Sequence, residues 1–165
     1  MPTPSVEGDI VLGTAGAGVL LRNDLYLPVG STTSGVYWLW VEDFNPMPAV
    51  QMSTNDVPIV YDHGSRPGGD VALSRLYSFE MYAAWEADAG LAQLLTDLSA
   101  VAAPLATGTT ELSFRFASTN WTVAGRFEPF AMQRSDISLA HQTASFTVRF
   151  RATDPVLRSG ATEVL

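Results

Sequence analysis

The chain is 165 residues long, enough for one domain that buries roughly 70% of the surface its unfolded form exposes. It carries 17 acidic residues against nine basic ones, all of them arginine, for a net charge of −8, and it has no cysteine. This balance argues against a binder of nucleic-acid phosphates, and the missing thiols exclude disulfides, thiolate catalysis and cysteine-ligated metal sites.

No apolar run reaches about 18 residues, so no membrane-spanning helix is expected. Met1 to Gly8 is Pro-rich, lacks the basic start of a secretory signal, and reads as a flexible N-terminal arm. Ile10-Val11-Leu12 and Val19-Leu20-Leu21 flank a Gly-rich stretch, the pattern of a hairpin. Val36 to Val41 is β-branched and aromatic on both faces, which suits a strand covered on two sides. From Glu42 to Asp56 the chain becomes an irregular excursion with one weak strand at Ala49 to Met52. A loop of that length inside a compact domain is uncommon without a function. Val57 to Tyr61 reads as a short strand, followed by a turn cluster from Asp62 to Asp70.

Arg75 to Ala83 alternates, with Tyr77, Phe79, Met81 and Ala83 on one face and Arg75 and Glu80 assigned to the other. Asp88 to Leu105 takes a helical period, with Leu91, Leu94, Leu95, Leu98, Val101, Ala102 and Leu105 on one stripe. Asp88 suits its start and Pro104 its end. Three strands follow: Glu111 to Phe116, Trp121 to Phe127 running on toward Met132, and Thr143 to Arg151. Their clean alternation predicts antiparallel pairing with one wet face. The expected fold class is mainly β (α+β), with one packed amphipathic helix and extended loops.

No catalytic pattern emerges. His63 and His141 have no HxxxH or HxH spacing and read as turn residues. Glu42, Asp43, Asp56, Asp62 and Asp70 have no calcium-loop spacing. There is no nucleophile elbow, and without lysine there can be no phosphate-binding P-loop. No enzyme activity, cofactor or metal is therefore expected. The informative residues are those suited to contacts between chains. Trp38 and Trp40 share one face of their strand, and Phe44, Met47 and Met52 stud the excursion. Arg115, Arg149 and Arg151 point outward from the closing strands, where a guanidinium fork can meet a carboxylate of a neighbouring subunit.

From Val57 onward the order of pieces is a strand, a Gly-rich turn (Gly64-Ser65-Arg66-Pro67-Gly68-Gly69-Asp70) and a long strand (Arg75 to Glu86). Then come a helix (Leu91 to Leu105), two strands, and Phe146-Thr147-Val148-Arg149-Phe150-Arg151-Ala152-Thr153-Asp154-Pro155. This resembles the N-terminal ring domain of distal tail proteins of long-tailed phages (siphoviruses), over about 100 residues by pattern. The resemblance implies an antiparallel β-sandwich or split barrel with one packed helix at residues 9–157, and a short C-terminal tail at 158–165. It implies a virion structural protein, made in the host cytoplasm, that forms a hexameric homo-oligomer at the distal end of the tail tube. Its partners would be the tail-tube protein and the tail-tip or baseplate proteins. If the acidic residues face the lumen of such a ring, DNA would pass through it unbound, since like charges repel. The second domain of larger family members is not expected here, because about ten residues follow Asp154-Pro155. Two other readings stay open: a tail-tube or tube-terminator subunit, and a carbohydrate-binding β-sandwich using its tryptophans.

Overall fold

The strands follow from alternation and β-branching, and the helix from the one stretch of 3.6-residue period. The computed structural model describes residues 3–13, 18–21, 37–53, 57–58, 65–66, 71–102, 109–133, 141–160 and 162–164. In chain order the elements begin with β1 (Ile10–Leu12), β2 (Val19–Leu21), β3 (Tyr37–Glu42) and β4 (Val50–Ser53). A separate pair follows, β5 (Val57–Pro58) with β6 (Ser65–Arg66), then the long β7 (Val71–Trp85) and the helix α1 (Ala87–Ala102). The chain closes with β8 (Thr110–Phe116), β9 (Thr119–Phe127), β10 (Ala131–Gln133), β11 (Thr143–Ala152), β12 (Leu157–Ser159) and β13 (Thr162–Val164).

Eleven of these strands form one antiparallel sheet along the path β2-β1-β8-β9-β11-β7-β3. Its two ends, β2 and β3, approach each other, so the sheet curls into a nearly closed barrel. The expected mainly-β fold with one helix is what the chain adopts. The interior is filled by the odd residues of β7 (Tyr77, Phe79, Met81, Ala83, Trp85) and the even residues of β11 (Ala144, Phe146, Val148, Phe150). Phe146 pairs with Met81 and Phe150 with Tyr77, so a one-residue slip would turn every one of these side chains to water. The helix lays Leu94, Leu98 and Val101 into the same core.

Four expectations are refined. Leu95, assigned to the helix stripe, is 44% exposed, because the line that reaches the sheet is the narrower one of Leu94, Leu98 and Val101, with Leu91 partly buried beside it. Phe116, which the alternation of Glu111 to Phe116 puts in step with the buried Leu112 and Phe114, is exposed at the β8 end, beyond the reach of the core. Arg75, assigned to the outer face, shares the odd face of β7 and is only 4% exposed. Finally, β9 stops at Phe127, and β10 resumes on the same edge of β11. Phe127 faces Phe150 and Ala131 faces Thr147, so four steps on one side oppose three on the other, a one-residue bulge.

The loop residues 14–17, the turn residues 59–64 and 67–70, with His63, and the helix end at 103–105 lie outside the described residues.

Candidate assembly surfaces

The excursion after β3 keeps to the edge of β7. Glu42 faces Glu80 and Val50 faces Arg75, so eight steps of chain bulge over five. Asp43 turns the chain out with a left-handed backbone (φ 53°), and the Asn45 side-chain oxygen accepts from the Met47 N–H at 3.0 Å. Between them Phe44 swings inward. Its ring stacks on Tyr77 at 6.1 Å and meets Phe79 and Phe114 edge-on at 5.2 and 5.3 Å. Phe44 is thus a plug for the aromatic interior. Met47 and Met52 point the other way, 42% and 50% exposed, and are the apolar contacts this segment offers outward.

On β3 the odd residues Tyr37, Leu39 and Val41 are buried, while Trp38 and Trp40 lie half-buried on the outer face. Trp40 stacks on Tyr82 across the ladder at 5.7 Å, and Tyr82 donates its hydroxyl to Glu80 at 3.0 Å. The Trp38 indole N–H is buried and has no hydrogen-bond partner among the described residues. The arginines divide into two places. Arg115 donates to the Asn120 side chain at 3.1 Å, near the β8–β9 turn. Arg149 and Arg151 flank Glu128 at 3.8 and 3.7 Å on the far stretch of the sheet. Arg126 faces Arg151 directly in the ladder and is also exposed. Sequence reasoning does not single out Arg126 or Glu128, because their company with Arg149 and Arg151 follows only from the register.

The β8–β9 turn shows how the N-terminal segment is held. Ala117 and Ser118 both take positive φ (51° and 62°), the conformation of a tight two-residue hairpin that favours Asn-Gly. Here the Glu7 carboxylate accepts from both turn N–H groups, at 2.6 Å from Ala117 and 3.1 Å from Ser118. Asp9, fully buried, accepts from the Ser5 and Val6 N–H groups at 3.0 and 2.9 Å and fixes the preceding turn. Gly8 N–H bonds the Arg115 carbonyl, and Arg115 N–H the Asp9 carbonyl. Replacing Ala117-Ser118 by Asn-Gly is expected to raise stability by about 1–2 kcal/mol, read by denaturant unfolding, because each left-handed non-glycine residue carries strain.

Two further contacts tie the layers together. The Tyr37 hydroxyl donates to Asp97 of α1 at 2.5 Å, and Gln93 supports that carboxylate at 2.8 Å. Burial, then the bond to Asp97 and its charge, push the Tyr37 hydroxyl far above its ordinary pKa. Tyr37→Phe is expected to cost about 1–2 kcal/mol, since it removes a hydrogen bond to a charged group. Burial also pushes Tyr77 up to about 12, against the opposing charge of Arg75. The Arg75 Nε and the Tyr77 hydroxyl nevertheless form no well-shaped hydrogen bond among the described residues.

After β11, Asp154 accepts from the Val156 N–H at 3.0 Å and from Arg158 at 2.6 Å. The backbone bond first, with Arg158 in support, holds its carboxyl below the usual aspartate range, while slight burial opposes. A lowered folded pKa means that this contact stabilises fully above the ordinary aspartate value and fades as pH falls through the folded one. The melting difference between wild type and Asp154→Asn should therefore be full at neutral pH and shrink steadily in acid.

Among the described residues no group of three or more His, Asp or Glu side chains could hold a metal ion, and no helix is long and apolar enough to cross a membrane. His141 is an exposed turn residue. No family model matches the sequence, and no curated protein matches it significantly. Among solved structures the fold is similar to the Dit protein of phage SPP1, described as a paradigm of the hub adsorption apparatus in phages that infect Gram-positive bacteria. The likeness has a TM-score of 0.57 at 12% identity and covers 76% of this chain. This chain spans about half of that protein, covering 48% of it.

Proposed function

We propose that this chain is a structural protein of a phage tail, a ring subunit at the distal end of the tail tube. The observation that carries this reading is the nearly closed barrel with one packed helix, similar over three-quarters of the chain to the SPP1 Dit protein. The order of pieces in the sequence from Val57 to Pro155 supports the same reading by itself. In this proposal the body at residues 9–157 forms the wall of a hexameric ring that joins the tube to the tail tip or baseplate. DNA passes through its lumen without binding, as a net charge of −8 favours. The chain works by surfaces, and neither catalysis nor a cofactor enters.

The outward apolar contacts are Met47 and Met52, with Trp38 and Trp40 on the sheet face and Arg115, Arg149 and Arg151 at its charged positions. Phe44 serves these contacts from beneath, by holding the excursion to the barrel. Light scattering across a concentration series tests the proposal. A mass of six chains, or a multiple of it, is expected. Open-ended polymers would favour a tail-tube subunit instead. A monomer that binds a sugar in a glycan screen would replace the proposal with a carbohydrate-binding module.

A further inference from the structure

The outer face of β9 and β11 concentrates positive charge on a strongly acidic chain. Arg126 and Arg151 stand directly opposite each other, and Arg149 lies two residues along on the same face. Like charges placed opposite weaken a strand pair, so the cluster does not serve the stability of the sheet. Glu128 is shared between Arg149 and Arg151 at 3.8 and 3.7 Å. Glu80, across from Thr147, and Glu111, across from Ala124, share the outer face of the sheet, so the positive charge is local, where three guanidiniums gather around the single carboxylate of Glu128. The Arg149 and Arg151 side chains remain 59% and 63% exposed.

Negative charge collects on another face. The helix α1 carries Asp88 and Asp97 and no basic residue, and Glu86 immediately precedes it. Glu86 and Asp88 are exposed, whereas Asp97 is engaged by Tyr37 and Gln93. The helix packs on the inner side of the sheet, with Leu94 and Leu98 in the same core as Phe146 and Phe150. Its solvent face is therefore a different face of the domain from the outer surface of β9 and β11.

We infer that the arginine face of one copy docks on the Glu86–Asp88 end of α1 in a second copy. This rests on the ring reading proposed above. A basic patch and an acidic patch on different faces of one chain make a head-to-tail contact, which repeats from copy to copy and closes into a ring when the rotation allows. The planar fork of arginine suits carboxylates, and several pairs acting together fix partner and register where one exposed pair would contribute little. The contact is screened by salt.

The test is sedimentation equilibrium of the full chain at low and high salt. It compares wild type, Arg126→Glu/Arg151→Glu, Glu86→Arg/Asp88→Arg, and all four substitutions together. Each double variant is expected to weaken association by at least about tenfold, and the fourfold variant to recover most of it, because the swapped charges pair again. If a reversal prevents folding, judged by circular dichroism, Arg126→Gln/Arg151→Gln and Glu86→Gln/Asp88→Asn give the same reading with milder changes. Wild-type association that the arginine variants leave unchanged overturns this inference and leaves the ring standing. A wild type that stays monomeric at every concentration overturns both. Duplex DNA held by wild type and lost by the arginine variants, with self-association intact, assigns the face to nucleic acid and also overturns it.

Discussion

Gly125→Ala is expected to destabilise the chain by about 3 kcal/mol or more, lowering the melting temperature by roughly 6–12 °C. Gly125 sits in β9 where that strand pairs on both sides, with Thr110 of β8 and with Ala152 of β11. It is buried, and a Cβ built on it would run into the Arg151 carbonyl oxygen and lie 2.6 and 2.7 Å from two carbons of the Phe150 ring. The carbonyl belongs to the ladder and cannot retreat without breaking it. Phe150 is fully buried and packs on Phe127 at 4.7 Å, so it has no room either. Overpacking of this kind forces backbone shifts instead of rotamer changes. A thermal melt followed by circular dichroism checks it. A variant that melts like wild type would mean that β9 does not cross β11 at this register.

Phe44→Ala is expected to cost about 3 kcal/mol, near the lower end of the range for a buried phenylalanine, because Phe44 is only partly buried. Its ring touches Tyr77, Phe79 and Phe114, so its loss opens a cavity among three side chains contributed by two strands. Met47→Ala, in the same segment, removes an exposed side chain and should change stability by less than about 0.5 kcal/mol. The contrast separates two roles for residues 43–53. If the segment were purely an arm for a neighbour, Phe44→Ala would leave the isolated chain's stability intact and weaken only its association. Urea unfolding of both variants, with association measured in parallel, decides between them.

Much of the barrel was legible because its core positions alternate without interruption. Tyr77, Phe79, Met81 and Ala83 against Ala144, Phe146, Val148 and Phe150 allow one register that buries both sets. The helix was legible from its period. Arg75 departs from its expected place because a charged residue at a strand start is ordinarily solvated, whereas strict counting along β7 puts it on the inner face with Tyr77. The β8–β9 turn carried no signal, since Ala117-Ser118 is not a turn dipeptide. It holds through Glu7, which lies 110 residues away in sequence. Phe44 sits in an irregular stretch, where the sequence alone suggests a contact for a neighbouring chain and carries no sign of its place against the barrel. Its inward path depends on the bulge over β7, which no local pattern encodes. The arginine face likewise depends on the pairing of Arg126 with Arg151 across strands far apart in sequence. Long-range register decides these cases, and periodicity does not carry it.

Self-assembly is the central claim, and electron microscopy of the purified chain at high concentration and low salt tests it most directly. The account predicts closed six-fold rings with an open lumen, in one or two stacked layers, that fall apart as salt is raised. Isolated single barrels under every condition, or tubes that grow without limit, would contradict it.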